Sequence, residues 1–419
     1  MTAQTHSVAP SAASAPASAP LPPTAPPPIA LLCALGMLCT LVSVVFARLA
    51  FGLVLPAMRS DLGLSYAQAA NLGTVTAMGY LTLLLYAGVF AGRHGSKRAI
   101  LLGLGFALAG FAGAAVGSHY VWLMCCMVLL GCGTAFTFTP LVSLLGAWYP
   151  TKRAAVIGFS NSGVGVGILV SGMLVPWMIE TLGTTGWRWV WAVFAASALA
   201  TAVLVALWLK DPPRSGAPTS VRQGLRSVYR SPHVVVIGLI YGVVGLTYIV
   251  QTIFMFSFAL DSGVDALMAG KLVSIMGILS IFAGPAWGWA ADRIGHAGAL
   301  MACMMLSFAG TALPVVWQHS TAFLIHYIFM GLSVSGLFTS ILASSTTTVR
   351  PQHAPMAVSF VTLFFALGQL VGPAVAGSLI DWQQDFRLTF AVSSAILLVG
   401  AALSGYSSRL LQLQQSPGV

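Results

Sequence analysis

The clearest demand for chemistry in this sequence comes from Arg48. It stands in Phe46-Ala-Arg-Leu-Ala-Phe-Gly-Leu-Val-Leu-Pro56, past the middle of a long apolar run, with apolar neighbours on both sides. A cation at mid-bilayer costs about 2.5–3.5 kcal/mol on insertion scales, so it normally faces a cavity or a partner. No Asp or Glu falls in the central part of any apolar run. The countercharge is then supplied from outside the chain, and a carboxylate is the simplest supplier because a guanidinium forks onto two oxygens. The competing reading is an arginine bonded to backbone carbonyls or snorkelling outward.

Other polar side chains recur at helical spacing inside apolar runs. His326, Ser333, Ser340 and Ser344 form one stripe, while Tyr241, Tyr248 and Thr252 share a face with Gln251 beside them; Thr134 and Thr137 lie on a third run. Such residues either line a polar pocket or hydrogen-bond one helix to the next. His326 titrates near physiological pH, so it is a candidate for carrying a coupling proton; alternatively, near the end of its run, it simply contacts water. The six cysteines, Cys33, Cys39, Cys125, Cys126, Cys132 and Cys303, sit within apolar runs and read as small hydrophobes, with no metal-site spacing to histidine and no disulfide expected. No metal, no cofactor and no nucleophile–base pair is expected.

The elements that hold these residues follow from composition. The chain is 58% hydrophobic and only 6% charged, against about 25% charged in a soluble domain. Lipid is therefore the solvent. Spans of about 20 apolar residues are predicted at 29–57, 67–91, 98–117, 120–147, 154–179, 187–209, 233–260, 268–290, 297–317, 321–345, 355–379 and 388–407. This is an all-α membrane protein with twelve transmembrane helices in two pseudo-symmetric six-helix bundles, 29–209 and 233–407. Residues 1–28 read as a disordered Ala/Pro/Ser-rich tail, 210–232 as a basic linker that can touch anionic headgroups, and 408–419 as a second tail.

Charge placement gives the sides. Arg93, Lys97, Arg98, Lys152, Arg153, Lys210, Arg214, Arg222, Arg226, Arg230, Arg293, Arg350 and Arg409 fall on the side of both termini, and Arg59, Arg188, Lys271 and Arg387 on the other. That bias predicts cytoplasmic termini and, in a bacterium, the inner membrane. The basic excess is a topology signal and not a nucleic-acid patch.

The sequence also repeats. At an offset of 200, Asp61 meets Asp261, Gly63 meets Gly263, Ala69 meets Ala269, Leu72 meets Leu272, Gly88 meets Gly288, Arg93 meets Arg293 and Gly95 meets Gly295. At an offset of 205, Gly163, Gly167 and Gly172 match Gly368, Gly372 and Gly377. Parallel repeats place a solute site between the halves near the midplane.

Gly88-Val-Phe-Ala-Gly92-Arg93-His-Gly95-Ser-Lys97-Arg98 and Gly288-Trp-Ala-Ala-Asp292-Arg293-Ile-Gly295 resemble the loop signature of the major facilitator superfamily, G-x-x-x-D-R-x-G-x-R/K-R/K. The glycines at 88 and 288 are expected to admit close helix approach and those at 95 and 295 a tight turn. The resemblance implies that this loop latches the halves together on the cytoplasmic side, and that the first, fourth, seventh and tenth helices line the cavity. Gly92 replaces the acid of the pattern, so Asp292 and Arg293 are the expected gate. The ladders at 163–167 and 368–377 loosely resemble the superfamily's antiporter signature, but Ile168 stands at its proline; they read as close packing with a bend at Pro373.

The expected function is secondary active transport by alternating access of a small organic solute, most simply an organic anion, by proton coupling (symport) or exchange. Efflux of hydrophobic or cationic compounds is the alternative, and a non-transporting sensor with the carrier fold the third reading. The expected partners are that solute, the bilayer and a coupling proton, with a monomeric carrier.

Overall fold

In lipid every backbone polar group must be satisfied within the chain, so long apolar segments become helices. The computed structural model of this chain describes residues 27–212, 231–349 and 354–415; nearly all of the N-terminal tail and of the basic linker, with Arg350 and the last four residues, lie outside them. Among the described residues 10 stretches are long and apolar enough to cross a membrane. One of these, Val156–Trp208, contains two helices joined at Gly183–Thr185, and a pair bent by 46°, Tyr66–Leu84 and Tyr86–His94, supplies one further span. The described residues thus form twelve spans in two six-helix bundles.

The repeat is visible in the helix bounds. Tyr66–His94 and Ala266–Ile294 are both 29 residues long, and the next helices, Ser96–Val116 and His296–Val316, are both 21. Gly95 (φ 97°) and Gly295 (φ 77°) make the turn between them, a conformation that a side chain would strain.

The glycine ladders make equivalent close approaches in the two halves. A Cβ on Gly163 would lie 2.3 Å from the Met37 carbonyl oxygen, and one on Gly368 would lie 2.5 Å from that of Gly242, residues again separated by the ladder offset. Farther along, Gly172 meets Gly270 and Gly377 meets Ala70. The fifth helix (Arg153–Leu182) thus packs on the first of its own half and the eighth (Ala266–Ile294) of the other. The eleventh (Ala354–Gln383) likewise packs on the seventh (Pro232–Asp261) and the second (Tyr66–His94).

The halves differ in their first helix. The seventh runs unbroken, whereas the first is Ile29–Thr40, a π-helical stretch Leu41–Leu49, and then Phe51–Leu62, longer than the predicted 29–57. The π stretch closes with the Ala50 amide donating to the Val45 carbonyl at 2.8 Å. Beside it, Thr134 of the fourth helix (Tyr120–Trp148) donates its hydroxyl to the Ser43 carbonyl at 2.6 Å. A side chain inserted into the hydrogen-bond ladder is a recognised cause of such a register change, which turns the residues beyond it by about 100°. Arg48 lies at the end of that stretch.

Contact between the halves is firm at the face where the first helix ends, called here the far face. There Gly52 of the first helix meets the seventh so closely that a Cβ would sit 2.0 Å from the Thr252 carbonyl oxygen. At the near face, where Ile29 begins, the second helix packs within its own half, with Ala87 buried beside Ala135 and Phe136. A side chain on Gly88 or Gly92 would find nothing within 4 Å, so Gly88 is not the close helix contact that the sequence suggests. The twelfth helix, Arg387–Gln415, continues beyond the predicted 407.

Candidate functional site

Arg48 reaches from the first helix across the seam between the halves. Its guanidinium donates to the Gln369 side-chain oxygen on the eleventh helix and lies 4.9 Å from the centroid of the Tyr80 ring on the second. Tyr241 and Tyr248 are within electrostatic reach. The Gln369 amide nitrogen is buried without a partner. A cation held by a neutral amide and an aromatic face keeps its full charge, which an incoming anion can neutralise.

Two cavities flank the Gly52–Thr252 crossing. One is bordered by Arg48, Gly73, Thr76 and Thr252, between the first, second and seventh helices. The larger, about 550 Å³ of non-atom space counted together with its open mouth, lies between the first, fifth, seventh, eighth and tenth (Ser320–Thr346) helices, and Tyr248, Gln251, Thr252, His326, Ser171 and Tyr327 supply its polar wall. Thr252 belongs to both.

The remaining predicted site residues go elsewhere. Thr134 is used on the Ser43 carbonyl, and Thr137 faces the third helix at Gly103. Ser333 bonds Ser307 of the ninth helix (His296–Val316) at 2.8 Å. Tyr241 stacks on Phe365 with centroids 4.5 Å apart. None of these four borders either cavity; they satisfy helix–helix hydrogen bonds and packing. The stripe ending in Ser340 and Ser344 likewise meets a cavity only at His326.

Sequence reasoning missed Gln369, Tyr80, Ser171 and Tyr327. Gln369 was legible in principle, as an uncharged amide in the middle of a span beside the glycines of a packing ladder.

At the near face the signature loop is anchored within its own half. The Asp211 carboxylate, just past the sixth helix (Gly186–Trp208), accepts from the Lys97 amide at 2.7 Å and caps the third helix. A Cβ on Gly95 would lie 2.4 Å from that carboxylate. Asp211 thus supplies an acid next to the loop in which Gly92 lacks one. Arg293 lies over the Trp289 ring of its own helix at 3.8 Å. The Asp292 side chain and Gly288 fall outside what is described beyond their helix.

At the far face, Asp381 of the eleventh helix accepts from the amides of Tyr66 (2.8 Å) and Ala67 (2.7 Å), the first turn of the second helix. Ser65 caps the same end through the Gln68 amide, so an intramolecular capping box and a carboxylate from the opposite half share the orphan donors.

The family described as "Uncharacterised MFS-type transporter YbfB" matches residues 40–405. The chain belongs to that family. It is a major-facilitator-type membrane transporter, a carrier and not an enzyme. Human monocarboxylate transporter 6 is 25% identical over 383 residues, which cover 83% of this chain and 75% of that protein. Human monocarboxylate transporter 11 is 26% identical, covering 74% and 68%. Among solved structures, a bacterial homolog of the human lysosomal transporter Spinster, inward-facing and unoccupied, superposes with a TM-score of 0.77 at 17% identity over 93% of this chain and 98% of that one. The nucleoside transporter NupG gives 0.74 at 12% identity, over 90% and 98%. At those identities the structural likeness speaks for the fold of this transporter alone.

Proposed function

We propose that this transporter moves a small organic anion bearing a carboxylate, and that Arg48 is its anchor. The supporting observation is the guanidinium held at the seam by Gln369 and Tyr80, with no carboxylate against it among the described residues. A substrate carboxylate takes Gln369's place on Arg48 and meets the unpartnered Gln369 amide nitrogen, so one ligand touches both halves. The named monocarboxylate transporters among the relatives support the same class.

Alternating access follows from this geometry. The near face is the cytoplasmic one by the charge bias, in a bacterial inner membrane, with the basic segment 210–232 linking the bundles on that side. The far-face contacts, Gly52 on Thr252 and Asp381 on the second helix, part as the carrier turns outward. The signature loops, with Gly88, Arg93 and Gly95 in one half and Gly288, Asp292, Arg293 and Gly295 in the other, then close the near face. His326 donates from Nδ1 to the Gly310 carbonyl at 3.0 Å, which leaves Nε2 as the acceptor of the neutral ring. The carrier works as a monomer.

The test is uptake into proteoliposomes of labelled carboxylates beside a cationic dye, with an inward proton gradient present or collapsed. Saturable carboxylate uptake that needs Arg48 and the gradient is the expected result. Dye transport untouched by Arg48→Ala would move the assignment to hydrophobic-compound efflux.

A further inference from the structure

The larger cavity carries information about the rest of the substrate. No charged side chain borders it among the described residues, and much of its wall is apolar: Leu49, Ile168, Phe256, Val273, Met276 and Met330. Into this wall are set polar groups without protein partners. His326 is 2% exposed and its Nδ1 bonds a carbonyl, which can only accept; Nδ1 therefore carries the hydrogen, and the neutral ring offers Nε2 as an acceptor. Gln251 is 5% exposed, and its side-chain oxygen is buried without a donor. The buried Ser171 hydroxyl is also unpartnered, and Tyr327 stands on the same wall. Leaving several buried polar groups unsatisfied is costly, and a ligand that pairs them gains accordingly.

The chemistry of this set is selective. A hydroxyl can donate to the unpaired Gln251 oxygen or to His326 Nε2 while accepting from the Tyr327 hydroxyl. A second carboxylate has no proton to give, meets the imidazole lone pair and finds no cation. An alkyl terminus leaves every one of these groups unpaired.

The cavity is also placed to receive the far end of an anchored acid. It shares Thr252 with the Arg48 cavity, and Tyr248, one of its wall residues, is within electrostatic reach of Arg48 one turn on the near side of the Gly52–Thr252 crossing. The geometry points to a substrate that is a monocarboxylate with a hydroxyl several bonds away from the carboxylate on an otherwise apolar body, the hydroxyl being read by His326, Gln251 and Tyr327. This rests on the anion reading of Arg48.

The full-length protein, purified in detergent, is titrated with the series from 4-hydroxybutanoate to 8-hydroxyoctanoate, with the matching unsubstituted acids and with the matching dicarboxylates. The apparent Kd is taken from the ligand dependence of thermal stability. At one or more lengths the hydroxy acid is expected to bind about tenfold tighter than its parent, as a site built for a hydroxyl requires. The dicarboxylate gains nothing. Gln251→Leu and His326→Asn each bring the hydroxy acid down towards the parent. If the unsubstituted acids bind in an Arg48-dependent way but the hydroxyl adds nothing at any length, this inference fails while the anion reading stands. It also fails if the dicarboxylates gain as much, or if the hydroxyl advantage survives in both variants. If no acid binds and Arg48→Gln changes nothing, it is the anion reading that has failed.

Discussion

The guanidinium of Arg48, in the N-terminal half, donates to the side-chain oxygen of Gln369, in the C-terminal half, so a hydrogen bond ties the cation to the opposite six-helix bundle. The bond is made by a neutral amide. A neutral acceptor holds the arginine in place and still lets an anion compete for it. Replacing Gln369 with a carboxylate removes that competition. Gln369→Glu is expected to raise the KM for carboxylate uptake by about tenfold or more, because a carboxylate can fork onto the guanidinium and neutralise it, which an amide oxygen cannot. Gln369→Leu leaves the guanidinium without that acceptor and lowers thermal stability by about 1–3 kcal/mol. Uptake kinetics and melting curves on the same preparations separate the two effects.

Gly52 tests the far-face closure. A side chain there must displace the seventh helix, since the atom it meets is backbone and cannot rotate away. Gly52→Val is therefore expected to favour the outward-open state. In a background lacking the six native cysteines, Phe256→Cys on the cavity wall should react faster with a membrane-impermeant maleimide added from the far side when Gly52→Val is also present. Equal rates would remove the crossing from the gate.

The twelve spans, the doubled architecture and the pairing of Gly95 with Gly295 were legible because they rest on one-dimensional signals, namely hydropathy, spacing and glycines that a turn requires. The site was legible only in part. Arg48 declared itself by its charge, and Tyr248, Gln251, Thr252 and His326 do border the large cavity. The π-helical stretch that aims Arg48 was not legible, since it is associated with Thr134 arriving from another helix at the Ser43 carbonyl, a tertiary contact without local signature. For the same reason Thr134 read as a pocket residue although its hydroxyl is used on the backbone. Gln369 was hidden by its neighbours: Gly368 and Gly372 explain themselves as packing, and the amide between them drew no separate notice. Asp211 lies 114 residues from the amide it caps, so nothing near Gly92 announced where the acid had gone.

That displaced acid can be tested directly. Asp211→Ala removes the cap from the third helix and should cost about 1 kcal/mol of stability. Gly95→Ala adds both a strained positive φ, worth about 1–2 kcal/mol, and a collision with the carboxylate, and is expected to be the more damaging of the two. Combining Gly95→Ala with Asp211→Ala relieves the collision and leaves the strain. The double variant should therefore be more stable than the sum of the single losses, and an additive result in thermal unfolding would show that the carboxylate does not sit against the turn.

Asp381 makes the corresponding contact at the far face, but between halves. Its two oxygens hold the first two amides of the second helix, where the helix dipole favours a negative charge. The second helix keeps its own cap at Ser65, so losing Asp381 should not unravel it. What is lost is the tie to the eleventh helix. Asp381→Asn retains one acceptor and removes the charge, and Asp381→Ala removes both, so the population open to the far side should rise in that order. The equivalent end of the eighth helix provides the control. There Asp265 caps its own Met268 amide at 3.1 Å, a bond that does not cross the seam. Asp265→Ala should lower stability by about 1 kcal/mol without changing far-side accessibility. The same maleimide reaction at Phe256→Cys reads both. If Asp265→Ala opened the far side as readily as Asp381→Ala, the effect would be one of helix stability, and Asp381 would not be a tie between the halves.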